Sequence, residues 1–301
     1  MVTLRSILCP VDFSEQSRDA LRWALALAVR HSGRVTVLTA VDPLLAQTAR
    51  IRFGLDLLTQ ARPALRTFVS DTLPHEAPWA PPITYDARVG HAPDVILDTA
   101  RQEHADMIVM GTHGLGGVRK LLLGSTAERV LRRTRLPVMA VPGAHPPGVV
   151  LDPAGPRFAA STILAASDLS EASAEAVEWA AALGQELAAT VVLAHVVTPL
   201  VVPSEWQPYV AGVDEDWAAQ ARAALAKVSA SLRGRVRSEV VVQLGRPPDA
   251  IAAIAEQRSA ALIVMGLGAP EGARRPQPGS IAYRVLCLAH VPVLVVPSRP
   301  S

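Results

Sequence analysis

The feature that most constrains this 301-residue chain is that it states one pattern twice. Residues 7–15 read Ile-Leu-Cys-Pro-Val-Asp-Phe-Ser-Glu and residues 163–171 read Ile-Leu-Ala-Ala-Ser-Asp-Leu-Ser-Glu. Ile108-Val-Met-Gly111 returns as Ile263-Val-Met-Gly266, and Leu136-Pro-Val-Met-Ala-Val-Pro142 as Val291-Pro-Val-Leu-Val-Val-Pro297. The offset is 156 residues at Asp12 and Asp168 and 155 at the later landmarks. A repeat of this length is a duplicated domain rather than a solenoid unit, and each copy is long enough to bury its own core.

Within each copy, apolar runs of strand length alternate with helix-period segments. In the first, strands are expected at 6–11, 35–41, 83–89, 107–110 and 138–141. Helices are expected after Ser14, around 48–58 and again after Pro63, at 93–103 and at 125–134. Pro74 to Pro82 breaks the pattern, and Ser32-Gly33 is a stop signal. In the second copy, strands fall near 162–166, 190–197, 237–243, 261–265 and 293–296. Its helices fall near 171–186, 214–232, 248–257 and 280–288. Continuous Val/Ile/Leu strands alternating with helices mean a parallel sheet covered on both faces. The fold class is therefore α/β: two tandem doubly wound, Rossmann-like domains, each with a five-stranded parallel sheet. The boundaries are 1–142 and 161–297, with a Pro- and Gly-rich linker over 143–160 that carries no periodicity.

Composition narrows the function. A net charge of +2 argues against a dedicated surface for nucleic acid or anionic membrane. Cys9 and Cys287 lie in apolar segments of different repeats and read as buried thiols rather than a disulfide framework. No leader pattern and no apolar run long enough to span a bilayer is visible, so a cytoplasmic protein is expected.

Ligands of open parallel sheets sit beyond the carboxyl ends of the strands, where chain order reverses. There the first copy places Gly111-Thr-His-Gly114 and, nine residues on, Gly124-Ser125 at the start of a helix. Such a loop can turn backbone N–H groups toward an anion, and the helix start adds its dipole; it can equally be a plain strand-to-helix connection. Asp12, just past the first strand, can accept from a ribose hydroxyl or hold a phosphate-bound metal, or can simply serve the capping of the next helix.

Pro-Val-Asp-x-Ser after the first strand, Gly-Thr-His-Gly after the fourth, the nine-residue spacer to Gly-Ser and a closing Pro-Val-x-x-Val-Pro strand together resemble the universal stress protein family, in a tandem member. The resemblance implies ATP as ligand, with Mg. It implies that Pro10, Val11 and Asp12 flank adenine and ribose and that Val41 offers its backbone to adenine. Met110, Gly111, His113 and Gly114 would line the phosphate path, and Gly124, Ser125 and Thr126 would take the terminal phosphates. It also implies pairing of the two halves through their last strands into an internal pseudo-dimer, and leaves a further homodimer open.

The second copy departs from the pattern. Its site positions would be Asp168, Gly266, Gly268, Gly279 and Ser280, but the second motif glycine is Ala269, followed by Pro270. Alanine at a positive φ costs roughly 1–2 kcal/mol, and Pro276 and Pro278 remove two donors. His195 reads as standing where the first copy has Ala40 or Val41. The second site is expected to be weak or empty.

The function expected is that of an ATP-binding stress-response or regulatory protein, with nucleotide held mainly in the N-terminal half. No Walker lysine follows Gly124, and no residue is placed to orient a water, so hydrolysis is slow at most and no catalytic residue or dedicated metal ligand set is assigned. A nucleotide-independent scaffold binding an unidentified protein is the alternative. An adenylating enzyme would carry Ser-Gly-Gly-x-Asp-Ser where Val11-Asp-Phe-Ser-Glu stands, and a dinucleotide fold would put Gly-x-Gly-x-x-Gly after the first strand, not the fourth.

Overall fold

The computed structural model describes residues 2–112, 123–143, 148–159, 161–267 and 280–297. It divides into two compact units, Met1–Ala159 and Ala160–Ser301.

In the first unit, β1 (Ser6–Pro10), β2 (Arg34–Val41), β3 (Ile83–Val89), β4 (Met107–Gly111) and β5 (Val138–Val141) form an all-parallel sheet. β1 pairs with β2 on one side and with β4 on the other, which makes the carboxyl end of β1 the switch point of the topology. The helices are α1 (Glu15–Arg30), α2 (Pro43–Phe53), α3 (Leu57–Ser70), α4 (Ala92–Gln102) and α5 (Ser125–Arg133). α1 forms because Ser14 caps it, accepting from the Ser17 N–H at 3.2 Å, and because its Ala/Leu-rich body buries Ala20, Leu21, Ala24, Leu25 and Ala28 against the sheet.

The second unit repeats this with β8 (Thr162–Ala166), β9 (Thr190–Val197), β10 (Ser238–Leu244), β11 (Leu262–Leu267) and β12 (Val293–Pro297), again all parallel. Its helices are α6 (Glu171–Glu186), a short α7 (Gln207–Val210), α8 (Val213–Ser231), α9 (Pro247–Gln257) and α10 (Ile281–Leu288). Ser170 caps α6 as Ser14 caps α1, accepting from the Ser173 N–H at 3.3 Å.

Three stretches differ from the sequence reading. The helix expected around 48–58 is divided, because Gly54 at φ +64° ends α2 and α3 starts anew at Leu57. α3 runs straight through Pro63 instead of starting after it. The missing N–H and the ring clash work against this, but Ala61, Leu65, Phe68 and Val69 on one face are buried and hold the turns together. The 143–160 segment, read as a linker without periodicity, contains an antiparallel hairpin, β6 (Val149–Asp152) and β7 (Gly155–Phe158). It packs on α1: the Trp23 and Phe158 ring centroids are 5.6 Å apart, and a Cβ at Gly148 would lie 2.9 Å from the Trp23 ring. The indole N–H of Trp79 donates to the Asp152 carbonyl at 2.9 Å and ties the hairpin to the loop before β3.

Among the described residues no helix is long and apolar enough to cross a membrane.

Candidate functional site

The switch point opens into a cavity of about 400 Å³ between the ends of β1, β2 and β4 and the first turns of α4 and α5. That size lies within the range of small-molecule sites. Pro10, Val11, Asp12, Met110, Gly111, Gly124, Ser125 and Thr126 all line it, so three separate segments of chain converge on one space. His113 and Gly114 lie outside the described residues.

Val41 is not among the lining residues; Leu38 and Ala40 are. Strand side chains alternate between faces, so Leu38 and Ala40 share the cavity face; Val41, whose expected contact is through its backbone, accepts there from the Gly90 N–H at 2.9 Å. Counting in twos from Leu38 finds Ala40 from sequence alone. Ala92 and Ile96, four apart on α4, add an apolar wall at helical spacing, and Ser17, Thr112 and Ala127 complete the lining.

The cavity lining is of two chemical kinds. Val11, Leu38, Ala40, Ile96 and Met110 make an apolar slot. The start of α5 also lines the cavity; its N-cap is Gly124 and it has no side-chain cap bond. The first-turn N–H groups, with the positive end of the dipole, therefore face the space where an anion is favoured. Gly124 has φ −58°, an ordinary value for any residue, so no backbone strain requires glycine there. Its N–H donates to the Thr112 carbonyl at 2.8 Å and closes the base of the intervening loop. Gly111 permits close packing: a Cβ there would come within 3.2 Å of Gln16, which would push β4 off the first turn of α1.

Asp12 has a clear local task. Its Oδ1 accepts from the Ser14 N–H at 3.1 Å and from the Ser14 hydroxyl at 2.6 Å. This turn holds Phe13 at φ +66°, a left-handed geometry that costs a bulky residue roughly 1–2 kcal/mol. Asp168 does the same for Leu169 at φ +67°, accepting from Ser170. Desolvation raises the Asp168 pKa, but the bonds from Ser170 and Ser173 outweigh it and hold the carboxyl below the ordinary range. Neither strained residue is a glycine, so nothing in the composition of the turn betrays it.

The second unit can be matched position by position through shared backbone bonds. Val11 N–H donates to Leu38 as Ser167 N–H does to Ala194, and Gly90 N–H donates to Val41 as Gly245 N–H does to Val197. His195 thus corresponds to Thr39, off the cavity face, and not to Ala40 or Val41 as its sequence position suggests. Its Nδ1–H donates to the Ser167 carbonyl at 2.8 Å. The counterpart of Ala40 is the larger Val196, and that of Thr126 is Ile281. Asp168 and Gly266 keep their places at the strand ends, while Gly268 and Gly279 lie outside the described residues. Ser280 is itself the N-cap of α10, and its hydroxyl accepts from the Tyr283 N–H at 3.4 Å.

The fold and its cavity define the class: a duplicated doubly wound α/β protein with a cleft at the switch point of its first domain. The model of the universal stress protein family matches residues 3–142 and again 160–297, and the chain belongs to that family. A universal stress protein of Mycolicibacterium smegmatis is 26% identical over 305 residues, covering 97% of each chain. One from Methanocaldococcus jannaschii is 31% identical over 142 residues, which is 46% of this chain and 81% of the relative. Among solved structures, a universal stress protein from Archaeoglobus fulgidus superposes with a TM-score of 0.62 at 19% identity, covering 98% of this chain and 97% of the other.

Proposed function

We propose that the N-terminal unit binds ATP and that the protein acts as a nucleotide-responsive regulator rather than as an enzyme. The observation that carries this reading is one cavity lined both by apolar side chains and by the start of a helix that no side chain caps. Val11, Ala40 and Ile96 would clasp a planar base. Asp12, at the rim beside Ser14, would accept from a ribose hydroxyl. Ser125 and Thr126 would bring hydroxyls and first-turn N–H groups to the phosphates. Magnesium fits this arrangement in the way it commonly binds, through one carboxylate, phosphate oxygens and water; its role would be to neutralise phosphate charge.

The C-terminal unit would hold nucleotide weakly or not at all. Val196 narrows the slot, Ile281 removes a hydroxyl, and Ser280 already satisfies one donor of its own helix. A partner-binding scaffold that ignores nucleotide is the alternative.

A thermal-shift assay tests the reading. Saturating ATP raises the melting temperature of the wild-type chain, since a ligand at 100 times its Kd adds about 2.7 kcal/mol. Ala40→Phe fills the slot and removes that shift. An equal shift in the variant means that ATP binds elsewhere.

A further inference from the structure

The first turns of α4 and α5 both line the cavity, and the charges beside them are unevenly matched. Arg132 pairs with Glu128, and Arg133 pairs from α5 to Asp94 on α4. Arg129 is exposed and, among the described residues, forms no ion pair. The hydrogen bond from Arg133 does most to hold the Asp94 carboxyl below its ordinary range. Desolvation opposes it, and the charges of Arg133, His91 and Arg129 add to it. The carboxylate whose field Arg129 shares is thus already bonded to another arginine.

Helix geometry aims Arg129 at the cavity. It stands four residues after Ser125 and three after Thr126, both of which line that space. Residues at these spacings share a face, and helical side chains lean toward the N-terminus. Four residues rise about 6 Å, a distance that an extended arginine side chain covers. Its planar fork of five donors can therefore reach the space ahead of the uncapped helix start, where it would bind phosphate oxygens in pairs. Ala127, Val130 and Leu131 form the buried face of α5, so Arg129 lies outside the packed side.

We infer that Arg129 sets how many phosphates the site prefers: it closes on the terminal phosphate of a nucleoside triphosphate and leaves a monophosphate untouched. This rests on the proposed nucleotide site and adds to it the residue that tells ATP from AMP. Because Arg133 occupies Asp94, Arg129 has no pair of its own to break before it meets the ligand.

Calorimetric titration of the full chain and of Arg129→Gln, each with Mg-ATP and with AMP, tests this. The wild type binds ATP more tightly than AMP by roughly tenfold or more, the scale of one charge-assisted bond. Arg129→Gln weakens ATP by roughly the same factor and leaves AMP within about twofold, which also shows that the variant is folded. Arg135→Gln removes an equal charge beyond the end of α5 and leaves both affinities unchanged. An Arg129→Gln chain that keeps wild-type ATP affinity overturns the inference. So does one that loses ATP and AMP alike, an equal loss in Arg135→Gln, or a wild type that holds the two nucleotides equally. In all of these the adenine site itself survives. A wild type that binds neither nucleotide removes that site, and the role of Arg129 with it.

Discussion

Thr126→Glu weakens ATP binding by roughly two orders of magnitude or more while the chain folds as before. Thr126 lines the cavity in the first turn of α5, where no side chain caps the free N–H groups. A carboxylate there satisfies those donors from within and repels the phosphates that would use them. Charge-assisted bonds contribute about 1.5–3 kcal/mol each, so losing two amounts to ~3–6 kcal/mol. At about 1.4 kcal/mol per factor of ten, that is at least ~10²-fold in Kd. The same substitution leaves the helix slightly more stable, by about 0.3–1 kcal/mol, because an acid in a first turn suits the dipole. Calorimetric titration and a thermal scan of one sample separate the two effects. Wild-type affinity in this variant would mean that the phosphates lie away from α5.

The largest stability effect falls outside the cavity. Trp23 is 2% exposed because the β6–β7 hairpin closes over it, with Phe158 against its ring and the backbone at Gly148 pressed close. Trp23→Ala is expected to cost about 3–5 kcal/mol, the usual range for removing a buried indole. For a domain of this size each kcal/mol shifts the melting temperature by about 2–4 °C, so a fall near 10 °C is expected. Trp179 holds the same place in the second repeat and stays partly exposed, so Trp179→Ala should cost markedly less. Urea unfolding of both variants checks the contrast; equal losses would mean that the hairpin contributes little to the first unit.

How far the molecule is legible from sequence varies with the kind of signal. The parallel sheets follow from aliphatic runs at strand length, and the caps at Ser14 and Ser170 follow from a hydroxyl just ahead of a periodic segment. The convergence of Asp12, Gly111 and Gly124 follows from the topological rule, since all three lie at strand or helix ends on one sheet edge. Legibility fails where tertiary packing overrides local preference. Pro63 sits inside a helix because that helix has a buried face, and the β6–β7 hairpin exists because α1 offers Trp23 to cover. Phe13 and Leu169 adopt positive φ because a neighbouring carboxylate holds the turn. His195 shows a finer limit: an error of one residue in strand register moves a side chain to the opposite face, and only the matched backbone bonds fix that register.

The number of nucleotides that each chain holds separates a live first unit from a live pair. Calorimetric titration of the purified protein with ATP and Mg²⁺ should give one equivalent per chain, abolished in Thr126→Glu and kept in a chain altered only at Ser280. Two equivalents of similar affinity would contradict it, by showing that the second unit with Val196 and Ile281 binds as well as the first.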